Sequence, residues 1–358
     1  MDLHFYQGKT ILITGHTGFK GTWLSMILQL LGATVIGYSS GPLPSPSLFT
    51  LIPPCTKDDI MGDICDVDLL EKIIKKHNVS YVFHLAAQSI VNTGVQQPLK
   101  TFKTNAMGSV AILEAIRRCN CVDGVLFVTT DKVYWNNGHN HPFSEEDKLW
   151  GSSPYAASKC CAELIAETYY QTYWANARKI GLAVVRAGNV IGGGDFASHR
   201  IVPDCVRAWK AQVPIVLRNP NAIRPYQHVL DVLFAYIEIC QYVSTDRFCF
   251  QKYNVGPESN DLCTVRELTI KFQHHLNMSQ ECFDVANQRA FAEDAWLTLN
   301  SNKLRRELNF RPLWNLDESI EKTARWYRAW SEGDDLYECC RNQILEYISK
   351  KWGLKNVP

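Results

Sequence analysis

The chain carries almost no net charge, since 37 lysines and arginines against 36 aspartates and glutamates leave +1 over 358 residues. A nucleic-acid binder normally shows a strongly basic face, so nucleic acid is not an expected partner. Long hydrophobic runs are missing too. The most apolar stretch, Trp23 to Tyr38, is interrupted by Ser25, Gln29, Gly32 and Thr34 and falls short of the ~20 residues a membrane span needs. The opening Met1-Asp2-Leu3-His4 lacks the basic segment and apolar core of a secretion signal, so a cytoplasmic location is expected. Cysteine is plentiful, at 13 residues, yet no Cys-x-x-Cys pair occurs. The nearest patterns are Cys119-Asn120-Cys121 and the doublets Cys160-Cys161 and Cys339-Cys340, which lack zinc-ligand spacing. An odd number in a long chain reads as free thiols in a reducing compartment, with no metal site. His139 and His141 sit in a polar loop and read as solvated.

What is present is an ordinary globular composition, 46% hydrophobic and 20% charged, in a chain long enough for about two domains. The first half alternates strand and helix signals. Thr10–Thr14, Thr34–Tyr38, Tyr81–Leu85 and Val125–Thr130 read as buried strands. Between them, Phe19, Trp23, Met26, Ile27 and Leu30 recur at helical spacing, Val67–His77 forms a second helix, and a long third helix is expected over 95–118. Such alternation predicts an α/β fold, a doubly wound parallel sheet of Rossmann type with a smaller mixed α/β substrate lobe. The expected division is 1–186 for the dinucleotide-binding domain with a return segment at 226–258. Residues 187–225 and 259–330 would form the substrate lobe, and 331–358 a polar helical tail.

Two constellations carry chemistry. Gly15-His16-Thr17-Gly18-Phe19-Lys20-Gly21 lies between the first strand and the first helix, where glycines permit a tight turn and backbone N–H groups can meet a pyrophosphate. The second strand ends in Tyr38-Ser39-Ser40, without the acidic residue that binds a ribose 2′-hydroxyl and without an arginine for a 2′-phosphate. The residues alone therefore leave NAD and NADP open. The other constellation is Tyr155-Ala156-Ala157-Ser158-Lys159, whose first and last members share a helix face. A phenol acting as base at neutral pH asks for a pKa depressed by ~3 units, which nearby cations favour.

Together with His84-Leu85-Ala86-Ala87, Thr130-Asp131-Lys132, Gly188–Asp195 and Arg224-Pro225-Tyr226-Gln227-His228, these motifs resemble the extended short-chain dehydrogenase/reductases that act on nucleotide sugars. Within that family the chain is most similar to the CDP-glucose 4,6-dehydratase branch, where an Asp-Lys pair follows the threonine. The resemblance implies NAD, held by Gly15, Thr17, Gly18, Phe19, Lys20, Gly21, Asp63, Ile64, Leu85, Ala86, Ala87, Asn105, Tyr155 and Lys159. It implies a lyase that oxidises C4, eliminates water between C5 and C6 and returns hydride to C6. Tyr155, with Thr130 and Lys159, would take the C4 hydroxyl proton. Lys132, which must be neutral to do so, would take the C5 proton, and Asp131 would protonate the departing oxygen. Gln88, Asn189, Arg200, Arg224 and His228 would contact the nucleotide-sugar substrate. A homodimer or homotetramer is implied, built on helices 95–118 and 155–177 through residues such as Ile112, Ile116 and Tyr169. The alternatives at this point are a dehydratase or 4-epimerase on another nucleotide sugar, or a catalytically silent dinucleotide sensor.

Overall fold

The computed structural model describes residues 2–41, 45–138, 141–245, 247–258, 261–278, 283–285 and 295–353. Seven strands form one sheet: β1 (Thr10–Thr14), β2 (Thr34–Ser39), β3 (Asp58–Met61), β4 (Tyr81–His84), β5 (Gly124–Val128), β6 (Gly181–Ala187) and β7 (Phe250–Val255). Their order is β7-β6-β5-β4-β1-β2-β3, every pairing parallel. Both faces are covered, so the central strands are apolar on both sides. Ile11 and Ile13 join Trp23, Leu24 and Ile27 in one core, whereas Leu12 joins Val82, Ile73 and Ile112 in the other. The strand order reverses between β1 and β4, which opens a crevice at the carboxyl ends of the strands.

Three expected strands lie within a residue of where the pattern puts them, whereas that expected over Val125–Thr130 runs Gly124–Val128 and leaves Thr129 and Thr130 in the loop. The helix Val67–His77 has its expected bounds, capped by Asp66 and closed by Asn78 at φ 49°. The long helix over 95–118 is not continuous. Val91–Gln96 stops at Gln97, Pro98 starts a new turn through Phe102, and Lys103–Met107 is a π-helical segment before Gly108–Arg117. Proline has no N–H to continue the first ladder, and the wide turn swings Asn105 inward. Ile112 and Ile116 are fully buried in the protomer's own core, packed beneath the sheet, so they offer no surface to a second copy. The last helix, Leu336–Trp352, buries one face through Leu336, Cys340, Ile344, Tyr347 and Ile348. Tyr347 stacks on Phe234 at 4.6 Å and donates to Asp231 Oδ1 at 2.7 Å. Among the described residues three two-stranded pieces lie outside the sheet, among them Val190–Ile191 with Gln227–His228 and Ile223–Arg224 with Cys263–Thr264. Among the described residues every cysteine is a free thiol, and no helix is long and apolar enough to cross a membrane. His139 lies outside the described residues.

One buried ion pair ties the sheet to the helix Pro154–Tyr169. Arg186 on β6 and Glu163 on that helix, each 1% exposed, meet at 2.6 Å. Arg186 also donates to Tyr134 Oη at 2.8 Å and Glu145 O at 3.1 Å, and Thr129 donates to Glu163 at 2.7 Å. Removing one partner leaves a buried charge unpaired. Arg186→Met is therefore expected to lower stability by about 3–5 kcal/mol in urea unfolding, and Arg186→Met/Glu163→Leu to recover much of the loss. Equal stabilities of the two variants would contradict this.

Candidate active site

The glycine turn follows β1 directly. Gly15 has φ +79°, and a Cβ there would sit 2.8 Å from Ala86 N, so the turn packs against the end of β4. A Cβ on Gly21 would sit 2.1 Å from Gly15 O. These two glycines are required by the fold itself. Gly18 is different, since its Cβ would meet only Gly15 O, at 3.3 Å. It begins the helix Phe19–Leu30, whose first turn has no side-chain cap and no acidic residue. Unpaired helix-start N–H groups beside an open glycine face suit a pyrophosphate, so the turn fits a dinucleotide.

Beside it, the loops after β5 and β6 and the start of the helix Pro154–Tyr169 enclose a cavity of about 550 Å³. Thr130, Asp131, Lys132, Tyr155, Lys20, Asn189, Arg200 and Arg224 all line it. Thr130 donates to Asp131 Oδ1 at 3.1 Å and caps the short 3-10 turn Asp131–Val133. Burial pushes the Tyr155 phenol above its ordinary value. The Thr130 hydroxyl pulls it back, Asp131 adds to the rise, and Arg200 opposes it. The protein's own groups thus do not supply the downward shift that a base requires, because desolvation of the phenolate outweighs them. Lys159 is buried and donates to Val128 O at 2.9 Å. Burial brings its ammonium down to about 8, against an opposing pull from Glu163. Lys20 is held at about 7 by burial and by the Arg200 and Lys159 charges.

The motif after β6 and the Arg224–His228 motif meet at this cavity. A Cβ on Gly188 would lie 2.4 Å from Pro225 and 3.3 Å from Asp131 Oδ2. Arg200 pairs with Asp195 at 2.8 Å and reaches Ser89 Oγ at 3.3 Å. Other expected contacts are placed elsewhere. His228 is fully buried and caps the helix Val229–Ser244 by accepting from Leu230 N at 3.2 Å, so it serves the fold and not the cavity wall. Gln88 turns inward, donating to Thr101 Oγ1 at 2.9 Å and accepting from Ile90 N at 2.6 Å. Asn105 is a brace: it bonds both backbone groups of Gln88 and donates to Ser158 Oγ at 2.9 Å. Asp63 pairs with Lys103 at 3.0 Å on the surface, and Ile64 packs beneath Gly108. Thr17, Phe19, Leu85, Ala86 and Ala87 lie partly open around the turn. Sequence reasoning missed Asp195, although it ends the Gly188–Asp195 motif, and Arg218, which lines the cavity from a loop without a motif.

A family model described as GDP-mannose 4,6 dehydratase matches residues 12–323. The chain belongs to that family. It is 37% identical to CDP-glucose 4,6-dehydratase of Salmonella typhimurium, over 98% of this chain and 99% of that one. It is 28% identical to a dTDP-glucose 4,6-dehydratase of Streptomyces antibioticus, over 90% and 94% of the two chains. Among solved structures, the dTDP-glucose 4,6-dehydratase DesIV of Streptomyces venezuelae, crystallised with NAD, superposes with a TM-score of 0.77 at 24% identity, covering 92% of this chain and 99% of that one. UDP-glucose 4-epimerase of Thermotoga maritima gives 0.77 at 24%, over 90% and 99%. The same fold is thus shared with both a dehydratase and an epimerase.

The Lys159 shift gives a test of stability. Between about pH 8 and 10.4 the unfolded chain holds a proton on Lys159 that the folded chain has released, so this residue makes stability rise with pH across that window. Lys159→Met is expected to flatten that rise, measured as the wild-type-minus-variant difference in urea unfolding from pH 7 to 10. A difference independent of pH would contradict the assignment.

Proposed function

We propose that this protein is a lyase that converts CDP-glucose to CDP-4-keto-6-deoxyglucose with NAD as cofactor. The observation that carries the reading is the meeting of Thr130, Asp131, Lys132 and Tyr155 on one cavity beside an open glycine turn, in a chain similar over its whole length to a CDP-glucose 4,6-dehydratase. Residues 1–186 with 226–258 would hold the dinucleotide, and 187–225 with 259–330 the sugar nucleotide. Bound NAD supplies two-electron oxidation at C4 and the matching reduction at C6. Tyr155 takes the C4 hydroxyl proton, and a cationic nicotinamide opposes the upward push of burial. A C4 ketone acidifies C5–H. Lys132, half-buried on the cavity wall, takes that proton, and Asp131 protonates the C6 oxygen as it leaves as water. An epimerase needs no such second acid and base, which favours dehydration. Arg200, Arg224 and Asn189 are the groups suited to the diphosphate, through charge-assisted hydrogen bonds. Free thiols suit a cytoplasmic protein.

The same reading includes a homodimer. Leu99 (84% exposed), Met107 (55%), Leu164 (62%) and Tyr173 (43%) face outward on the segment 98–108, on the helix Pro154–Tyr169 and on the π-helical turn Tyr170–Trp174 that continues it, with Tyr169 against Tyr173. These, and not Ile112 and Ile116, are the apolar groups a second copy would cover.

Mass spectrometry of CDP-glucose incubated with the protein and NAD, beside UDP-, dTDP- and GDP-glucose, is expected to show loss of one water from the CDP sugar. Asp131→Asn and Lys132→Met are expected to slow that loss by about 10²–10⁴-fold while C4 oxidation persists. Full dehydration by Lys132→Met would remove it as the base. Sedimentation is expected to give a dimer for the wild type and a monomer for Leu164→Arg; a monomeric wild type would sink the dimer.

A further inference from the structure

β2 ends at Ser39, the place where a dinucleotide site of this layout ordinarily carries a carboxylate that accepts from the ribose 2′-hydroxyl. A serine hydroxyl both donates and accepts, so on its own it does not reproduce an acceptor-only group. Its surroundings remove that ambiguity. His16, the second residue of the glycine turn, is fully buried, and its ring fills the hollow above Gly37, where a Cβ would sit 2.3 Å from His16 Cδ2. Nε2 of the ring lies 3.0 Å from Asp59 Oδ1, and Asp59 stands opposite Gly37 on β3. Nδ1 lies 3.0 Å from Ser39 Oγ. Burial holds the imidazole below its ordinary value, against opposing pulls from Asp59 and the Tyr38 backbone, so at neutral pH it carries one proton. The approach to Asp59 is oblique rather than a straight hydrogen bond. The carboxylate still favours the proton on Nε2, which leaves a lone pair on Nδ1. Ser39 then donates its hydroxyl proton to Nδ1, while Thr17 N–H donates to Ser39 Oγ at 3.4 Å. What Ser39 has left is a lone pair.

We infer that Asp59 and His16 lock the Ser39 hydroxyl as an acceptor, and that Ser39 replaces the missing carboxylate in reading the adenosine ribose of NAD. The inference rests on the NAD reading above. A ribose 2′-hydroxyl donates to the locked serine. A 2′-phosphate brings acceptors and negative charge, and meets a lone pair with the Asp59 carboxylate behind it. One serine, oriented from behind, therefore selects NAD over NADP.

Calorimetric titration of the full chain with NAD, NADP and 2′-deoxy-NAD, with no sugar present, tests this without turnover. The wild type is expected to bind NAD about 3- to 10-fold more tightly than 2′-deoxy-NAD, the worth of one hydrogen bond, and to bind NADP more weakly than NAD. Ser39→Ala is expected to bind NAD and 2′-deoxy-NAD alike. Asp59→Asn, which frees the imidazole to carry its proton on either nitrogen, is expected to narrow both preferences while Ser39 stays in place. Melting curves establish that each variant is folded. If Ser39→Ala does not fold, Asp59→Asn, at a partly exposed side chain, carries the comparison. A Ser39→Ala variant that keeps the wild-type ratio, or a wild type blind to the 2′-hydroxyl, overturns the inference while leaving NAD binding intact. A wild type that binds no dinucleotide instead removes the NAD reading, and this inference with it.

Discussion

The pairing of Arg186 with Glu163 holds the cavity wall in register. Glu163 lies one turn beyond Lys159 on the same helix, and Thr129, which bonds it, is the residue before Thr130. Arg186 stands on the neighbouring strand and reaches Tyr134, which in turn donates to Asn254 on β7 at 2.6 Å. A chain of hydrogen bonds, charge-assisted at Arg186 and Glu163 and neutral between Tyr134 and Asn254, thus runs from one edge strand, through β6, to the loop that carries Thr130-Asp131-Lys132. Each member is buried, so each bond acts in a medium of low dielectric and a half-broken network is costly. The helix that bears Tyr155 has no freedom to slide along the sheet while that network is intact.

The site placed on this frame is itself costly to the fold. Lys159 is buried and Lys20 half-buried on the cavity wall, and burial pulls both ammonium groups down, to about 8 and about 7. Tyr155 is pushed the opposite way by the same desolvation. Lys20 and Tyr155 line one cavity, with Lys159 behind its wall on the Val128 carbonyl, the pattern expected where titration is put to use. Gly188 adds a steric counterpart: only a residue without a side chain lets the β6 loop lie between Pro225 and the Asp131 carboxylate.

Much of this was legible in the sequence because it obeys short-range rules. The parallel strands follow from apolar runs with turns between them, and β1 and the helix Val67–His77 have the bounds their patterns predict. Thr130, Asp131, Lys132, Tyr155 and Arg224 are brought to one cavity as their motifs suggest. What was not legible depends on contacts distant in the chain. The π-helical turn at Lys103–Met107 has no propensity signature. His228 looks like a polar residue in a ligand motif, but its environment is the interior, against Trp314 at 4.6 Å. Helical spacing gave Ile112 and Ile116 an apolar face but not which way it faces, and here it faces inward. Ser39 read as the absence of an acid, since the residues that orient it come from the glycine turn and β3.

The proposed reaction is an internal redox cycle in which C4 is oxidised and C6 is reduced by the same bound cofactor. CDP-glucose carrying deuterium at C4, incubated with the protein and NAD in ordinary water, tests it directly by NMR of the product. The expected product carries the deuterium in its C6 methyl group and a proton at C5 drawn from solvent. Deuterium retained at C4 of an isomeric hexose would indicate epimerisation, and deuterium lost to solvent would break the link between the two carbons; either result would contradict the account.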